Sequence, residues 1–224
     1  MKKVDFDDYV EDYDDILKQQ LHFFNSDNSY FAEYKVRLAK TFFQHPPQSI
    51  LDFGCGVGRS LPFFQKYFPN ASLYGCDTSE RSLIDAKNKF PSVSFHQTHE
   101  LLPQKLQFDL IFLSGVFHHI EVADRKSIME LLSSLTKKNG KIVVFEHNPY
   151  NPVARHMVNT CPFDRDAVLL KPRELKKLFA NAGMENIQCH YTLFFPEALR
   201  WLRPLENYLR HLPLGGQYVV SGER

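Results

Sequence analysis

The sequence predicts an α/β fold, in which helices cover both faces of a mostly parallel sheet. From residue 49 onward, short apolar stretches typical of strands alternate with longer stretches of helical periodicity. Repeated strand–helix units of this kind form parallel sheets, with the helices packed on the faces. The stretch at 109–114 is apolar through its centre, which is typical of a strand covered on both sides. A chain of 224 residues has the size of one such domain.

The predicted elements follow one another with clear boundary signals. Two helices precede the sheet, with a break at 25–29, and the second covers 30–43. Glycines that suit helix C-termini, Gly140 and Gly183, close two of the later helices. Strands are predicted at 49–53, 72–76, 93–96, 109–114, 141–146, 187–192 and 217–222, and the later helices at 60–67, 80–89, 125–137, 172–182 and 197–211.

Composition narrows the function classes. The net charge is +1, which gives no overall field for nucleic acid or an anionic membrane, so no nucleic-acid partner is expected. The longest strongly apolar run, at 110–117, is too short for a membrane span. The four cysteines are scattered without a C-x-x-C pair, and no secretory signal pattern is visible, so a cytoplasmic location is expected. Composition leaves the oligomeric state open.

Three glycines at alternate positions, Gly54, Gly56 and Gly58, follow the first predicted strand and precede a predicted helix. Glycine permits the positive φ of a tight turn and the close approach of the backbone to a ligand. The helix N-terminus behind the turn offers unpaired N–H groups to an anionic ligand group. Asp77 ends the second strand about 20 residues later, where an acid can accept hydrogen bonds from ribose hydroxyls. Arg59 stands where the nicotinamide-dinucleotide fingerprint has its third glycine, which favours a different nucleoside ligand.

With Asp52 before the glycines, the turn reads D-F-G-C-G-V-G. It resembles motif I of the class I S-adenosylmethionine (SAM) dependent methyltransferases, usually written D-x-G-x-G-x-G. A second stretch, F-D-L-I-F-L-S-G-V-F-H-H at 108–119, resembles the motif of that family at strand four. The resemblance implies a Rossmann-like seven-stranded sheet in the order 3-2-1-4-5-7-6, with the last strand antiparallel. It also implies methyl transfer from SAM to a small-molecule or lipid- or sugar-linked acceptor, with S-adenosylhomocysteine as the product.

The same resemblance implies a division of the chain. Residues 1–45 would form a helical cap over the active site of a SAM-binding domain at 46–224, with substrate-side insertions at about 150–170 and 194–214. Aromatic rings of the cap suit a sulfonium through cation–π attraction, and Tyr9 and Tyr13 are candidates besides the residues below. The residues that the resemblance assigns to SAM are Tyr30, Tyr34, Lys35, Asp52, Gly54, Cys55, Gly56, Gly58, Asp77, Thr78, Gln97, Thr98, Ser114, Gly115 and Val116. Gln97 and Thr98 stand where the family often has an acid for the adenine, so the adenine contact is open.

Candidate catalytic residues follow the fourth and fifth strands. Glu146 and His147 end the fifth strand on the expected substrate side, where an ionisable group can take a proton from the acceptor. His118 is a further candidate, although it and His119 can instead cap the next helix. Their side chains are expected to diverge, and an H-H pair without more ligands predicts no metal site.

Two other functions remain open at this stage. One is a SAM-binding regulatory or scaffold protein of the same fold without transferase activity. The other is a nicotinamide dehydrogenase on a similar sheet, against which Arg59 argues. The sequence does not distinguish O-, N- and C-methylation.

Overall fold

The computed structural model of the protein describes Val4, Asp7, Ile16 and residues 29–101 and 106–224. Tyr9 and Tyr13 of the first predicted helix lie outside the described residues. Within the described part of the chain, no helix combines the length and the apolar character needed to cross a membrane.

Seven strands form a single sheet in the order β3-β2-β1-β4-β5-β7-β6, which confirms the predicted topology. β7 runs antiparallel to both of its neighbours, and the remaining pairs between β1 and β5 are parallel. The strands are β1 (Ser49–Phe53), β2 (Ser72–Asp77), β3 (Ser94–Gln97), β4 (Phe108–Ser114), β5 (Thr136–His147), β6 (Glu185–Thr192) and β7 (Gln217–Glu223).

Helices lie between the strands as the alternating pattern predicts. Several have the boundary chemistry expected of them: Ser79 caps α3 by accepting a hydrogen bond from the Ser82 N–H at 3.1 Å, and a proline opens α6. The helices are α1 (Ser29–Lys40), α2 (Leu61–Tyr67), α3 (Glu80–Lys89), α4 (Arg125–Leu135), α5 (Pro152–Thr160), α6 (Pro172–Asn181) and α7 (Glu206–Leu209).

The fifth strand begins earlier than predicted. The predicted helix to residue 137 is wrong at its end, because α4 stops at Leu135 and Thr136 pairs at once with Phe108 of β4. Lys137 Nζ also lies 3.0 Å from Asp109 Oδ2, which holds this residue against the sheet. Tertiary pairing therefore overrides the helical pattern in these residues.

The predicted helix over 197–211 is also wrong in form. Residues Glu197–Leu205 form 3₁₀ turns, and only Glu206–Leu209 are α-helical. Leu199, with φ −113° and ψ 23°, breaks the helical backbone, and Pro204 lacks an N–H that a continuous α-helix needs. In contrast, α5 inside the first predicted insertion is a regular helix, capped by the Asn151 side chain, that the sequence did not predict.

Two buried clusters sandwich the sheet, one on each face. Leu51, Ile111 and Val144 point into one cluster with α4 and α6, while their neighbours Ile50 and Phe112 point into the other with α1 and α2. The alternation follows from the two-residue period of a strand. Because both faces are covered, the parallel strands leave their carboxyl ends as the edge where loops can build a site.

Candidate active site

The glycine turn after β1 is held rigidly against β2. The N–H groups of Gly54 and Cys55 both donate to the Cys76 carbonyl, at 2.8 and 3.0 Å. Gly54 has φ +74°, and an added Cβ would lie 2.6 Å from a methyl carbon of Val116, so only glycine fits there. Gly56 has φ +50°, and an added Cβ would meet nothing within 4 Å. The turn is therefore tight at its base and open at Gly56.

Asp77 lies at the end of β2, facing this turn. Its carboxylate accepts hydrogen bonds from the N–H groups of Gly56, at 2.8 Å, and Ser79, at 2.9 Å. Burial nevertheless raises the pKa of Asp77, and the backbone donors offset only part of this effect. The residue is thus a fixed acceptor beside the open part of the glycine turn.

A buried group of opposite charges lies beneath the turn. Lys35 of α1 reaches through the core, and its Nζ donates to Ser114 Oγ at 2.7 Å. Burial lowers the pKa of Lys35 to about 8, while burial and the nearby Asp77 raise the pKa of Asp52 to about 7. A buried lysine, a buried aspartate and a serine hydroxyl therefore lie close together at the ends of β1 and β4.

Glu146, at the end of β5, organises the turn that follows β4. One carboxylate oxygen accepts the N–H groups of Val116 and Phe117 at 3.0 and 2.7 Å, and the other lies 2.6 Å from His118 Nδ1. The buried side chain has lost water, which raises its pKa, but the charge of His118 outweighs this and lowers it. Glu146 is therefore an ionised acceptor that fixes the His118 ring.

His118 lies between two carboxylates. Its Nε2 is 3.6 Å from Asp164 Oδ1, on the side opposite Glu146. Burial lowers the pKa of His118, but Glu146 and Asp164 outweigh burial and raise it to about 10. The same contact lowers the pKa of Asp164 despite its burial. In the ligand-free protein, His118 is thus a charged imidazolium that bridges two acids.

His147 and His119 complete the cluster. The His147 ring lies 5.3 Å from the His118 ring, centroid to centroid, and burial together with the His118 charge lowers the pKa of His147 to about 4. His147 is therefore neutral at neutral pH. His119 Nε2 lies 3.2 Å from Asp164 Oδ1, so His118 and His119 converge on one carboxylate, and the expectation that their side chains diverge is wrong.

A single cavity of about 790 Å³ joins the glycine turn to this cluster. Gly115 and Val116 lie on its wall between the two ends. At the cluster end, α5 and the turn after it contribute an apolar wall that consists of Met157, Val158, Cys161 and Phe163. The volume is in the range of small-molecule sites.

Most of the residues predicted to bind or act lie on this cavity. The structure brings the following of them to its wall: Lys35, Asp52, Gly54, Cys55, Gly56, Asp77, Thr78, Thr98, Ser114, Gly115, Val116, His118 and His147. Thr98 lines the cavity and Gln97 does not. Glu146 lies behind the wall, where it holds His118.

Two predicted aromatic contacts and one glycine lie elsewhere. Tyr34 donates its hydroxyl to Glu206 at 3.0 Å, and the Arg203 guanidinium lies 4.2 Å from the centroid of the Tyr30 ring. Both tyrosines thus join α1 to the segment at 194–214. An added Cβ at Gly58 would lie 2.8 Å from Leu61, so this glycine serves the packing of α2.

Asp164 is the site residue that sequence reasoning missed. It lies in the 3₁₀ turn Pro162–Asp164, which follows α5. Nothing in the spacing of C-P-F-D marks a residue that the fold returns to His118. The chain just after this turn is held there, because the Val168 N–H donates to the His118 carbonyl at 2.8 Å.

Comparison with known proteins finds similarity to methyltransferases. A family model described as a methyltransferase domain matches residues 51–142. A trans-aconitate 2-methyltransferase of Yersinia pseudotuberculosis is 29% identical over 162 residues, which make up 69% of this chain and 58% of that protein.

Solved structures give the same picture for the fold. A SAM-dependent methyltransferase from Archaeoglobus fulgidus superposes with a TM-score of 0.68 at 17% identity, covering 92% of this chain and 98% of that chain. Phosphoethanolamine N-methyltransferase 2 of Haemonchus contortus, solved in complex with SAM, superposes with a TM-score of 0.65 at 13% identity, covering 100% of this chain and 60% of that chain.

Proposed function

We propose that this chain, which belongs to the class I SAM-dependent methyltransferases, transfers the methyl group of SAM to a hydroxyl or amine of a small-molecule acceptor. SAM is the cofactor, and S-adenosylhomocysteine is the product. We further propose that the protein is located in the cytoplasm. The location is supported by four free cysteines, three of them buried in the fold.

The observation that carries the proposal is the continuity of the cavity. The glycine turn and Asp77 form one end, and His118, His147 and Asp164 form the other. A ligand that spans the first end would present its methyl group near Gly115, within reach of an acceptor at the second end. Proximity and alignment of this kind account for a large part of the rate when the donor is already activated.

The cofactor end has a partner for each charged or polar part of SAM. Asp77 would exchange its backbone donors for the ribose hydroxyls, and the open backbone at Gly56 would let the methionine part approach closely. The ammonium of SAM would lie near Asp52, and Lys35 would face the carboxylate. Thr98 is the remaining candidate for the adenine, since it lines the cavity.

The histidine–carboxylate cluster would activate the acceptor. The nucleophilic oxygen or nitrogen forms a bond to the methyl carbon as the carbon–sulfur bond breaks, and the bonding pair remains on sulfur. The acceptor loses one proton in the process, and the neutral His147 lines the cavity where it can assist this loss, whereas His118 already carries its proton. Glu146 acts through His118 as a positioning residue, because it is buried behind the wall and does not line the cavity.

The charges of the acceptor end favour some acceptors over others. Glu121, Asp124, Asp164 and Asp166 all line this end of the cavity. These acidic side chains would repel an acceptor that carries several carboxylates. A neutral hydroxyl or a cationic amine therefore fits better than a polycarboxylate such as trans-aconitate. The size of the cavity and the net charge of +1 likewise support a small molecule over a nucleic acid.

Two measurements test the proposal. In thermal unfolding, SAM at about 100 times its Kd should raise Tm by roughly 5 to 10 °C, and NADH should not. Asp77→Asn should weaken SAM binding by about 10- to 100-fold, because it removes one charged acceptor of the ribose hydroxyls. Asp85→Asn is the matched control, since Asp85 pairs with Lys89 on the outer face of α3.

The second measurement is release of S-adenosylhomocysteine with phenols, sugars, amines and carboxylic acids as acceptors. Turnover with a hydroxyl or amine acceptor supports the proposal, and turnover restricted to carboxylic acids contradicts the acceptor class. SAM binding without turnover on any class would instead favour a non-catalytic SAM-binding protein.

A further inference from the structure

We propose that His118, His147 and Asp164 bind one divalent transition-metal ion at the acceptor end of the cavity. The expected ion is of the zinc, cobalt or manganese class, because imidazole and carboxylate are ligands that these ions share. The role of the ion in methyl transfer rests on the proposed function, whereas its binding does not.

The positions of the three side chains carry the inference. One nitrogen of each histidine and one oxygen of Asp164 lie within 4.8 Å of one another. Ligands bound at about 2.0–2.2 Å to a tetrahedral ion are separated by roughly 3.5 Å. The His118 Nε2 to Asp164 Oδ1 distance of 3.6 Å already has this value, so only small side-chain movements are needed to complete the set.

His118 is held in the orientation that a ligand needs. Glu146 engages Nδ1 at 2.6 Å, which leaves Nε2 to face Asp164 and the cavity. The second ring nitrogen of a metal-bound histidine commonly donates its N–H to a carboxylate in this manner, which fixes the ring and strengthens the ligand. Glu146 is in turn fixed by the N–H groups of Val116 and Phe117.

The surroundings also suit an ion that acts on a bound molecule. Three protein ligands leave at least one coordination position, and all three side chains line the cavity. In the metal-free protein a proton on His118 bridges Glu146 and Asp164, and this arrangement does not involve His147. A metal ion uses all three side chains.

At this position the ion would hold the acceptor oxygen beside the methyl group of SAM. Coordination lowers the pKa of a bound hydroxyl, so its proton passes to solvent more readily. The oxygen then forms its bond to the methyl carbon, and the electron pair of the carbon–sulfur bond remains on sulfur. The products are the methyl ether, S-adenosylhomocysteine and one proton.

Cobalt titration of the full chain tests the site directly. After dialysis against a chelator, Co²⁺ should bind at one ion per chain with a Kd of roughly micromolar or lower and give visible absorption bands of a protein-bound ion, which Zn²⁺ should displace. His147→Gln and Asp164→Asn should each weaken binding by about 10-fold or more. His156→Gln should leave it unchanged, since His156 is exposed on α5 of the same insertion.

The outcomes separate this inference from the proposed function. Wild-type protein that is stabilised by SAM but binds no Co²⁺ overturns the metal site and leaves methyl transfer standing. Co²⁺ binding that persists unchanged in both His147→Gln and Asp164→Asn also overturns it, because the ion is then held elsewhere. If Asp164→Asn does not fold, the wild-type stoichiometry and His147→Gln, whose SAM affinity should stay within about 3-fold, decide the question.

Discussion

The two ends of the cavity are built in different ways. The cofactor end consists of one turn and the acid at the end of the neighbouring strand, Asp77, and its hydrogen bonds run through the backbone of Gly54, Gly56 and Ser79. The acceptor end consists of side chains from three separate segments, which contact one another through His118. The first end is fixed before any ligand arrives, and the second depends on a balance of charges.

This difference shows why one fold can keep its cofactor and change its acceptor. The backbone donors of a glycine turn tolerate many neighbouring side chains, so the cofactor end constrains few residues of the chain. The acceptor end lies in the turn after β4, at the last residue of β5 and in the turn after α5, where side chains can change with little effect on the rest of the sheet. Changes at the two ends should therefore have separable effects.

The largest expected effect comes from the acceptor end. His147→Gln should lower kcat by about 100- to 10,000-fold with any acceptor that the wild type methylates, because it removes a neutral imidazole that activates the acceptor. The Kd for SAM should stay within about 3-fold, measured by calorimetry. His156→Gln is the control for loss of a histidine.

An equal loss of SAM affinity and kcat in His147→Gln would contradict the separation of the two ends. It would mean that the cluster shapes the cofactor site as well.

The sequence correctly predicts that the glycine turn and Asp77 lie side by side, because this relation is local. The glycines and Asp77 lie at the ends of adjacent strands, and the strand–turn–helix pattern alone fixes their relation. The acceptor end was predicted only in part. His147 ends β5 and His118 lies in the turn after the neighbouring β4, so both could be found, but Asp164 approaches them through a turn that follows α5.

The same reasoning explains the misplaced residues. The sequence assigns Tyr30 and Tyr34 to the cavity, but the helix phase of α1 turns Lys35 toward Ser114 and leaves both tyrosines facing Arg203 and Glu206. Helix phase relative to a sheet is a tertiary property, and residues one position apart point in directions about 100° apart.

Two glycines of the same turn should differ in their effects on stability and on SAM binding. Gly58→Ala should destabilise the fold by roughly 2 to 4 kcal/mol, since φ is +83° and the new Cβ would lie 2.8 Å from Leu61 and 2.9 Å from Phe90. Gly56→Ala should cost only about 1 kcal/mol, because the space around it is open. For SAM affinity we expect the opposite order. Gly56→Ala should weaken SAM binding by about 10-fold or more, which is a larger effect than that of Gly58→Ala.

Chemical denaturation and SAM calorimetry on the two variants measure these effects side by side. Gly56→Ala with unchanged SAM affinity would show that the open space at this glycine is not the path of the ligand.

The smallest expected effect concerns the charge that the cofactor end buries. Burial raises the pKa of Asp52 to about 7, whereas an unfolded aspartate titrates near pH ~4. Because its pKa is raised in the folded state, Asp52 makes a contribution to stability that is fully present below pH ~4. This contribution is lost as the pH rises through about 7 and the buried carboxyl ionises. Asp52→Asn should therefore stabilise the ligand-free protein by about 1 to 2 kcal/mol near pH ~8, since part of the gain is lost with the attraction to Lys35.

Thermal unfolding at about pH 5 and about pH 8 tests the sign of this effect. The difference in Tm between Asp52→Asn and wild type should grow with pH, while that of the surface control Asp85→Asn should stay constant. The same variant should bind SAM more weakly. The carboxylate that destabilises the ligand-free protein is also the one proposed to face the ammonium of the cofactor. A variant that is neither stabilised at the higher pH nor weakened in SAM binding would remove Asp52 from the cofactor end, which would then consist of the glycine turn and Asp77 alone.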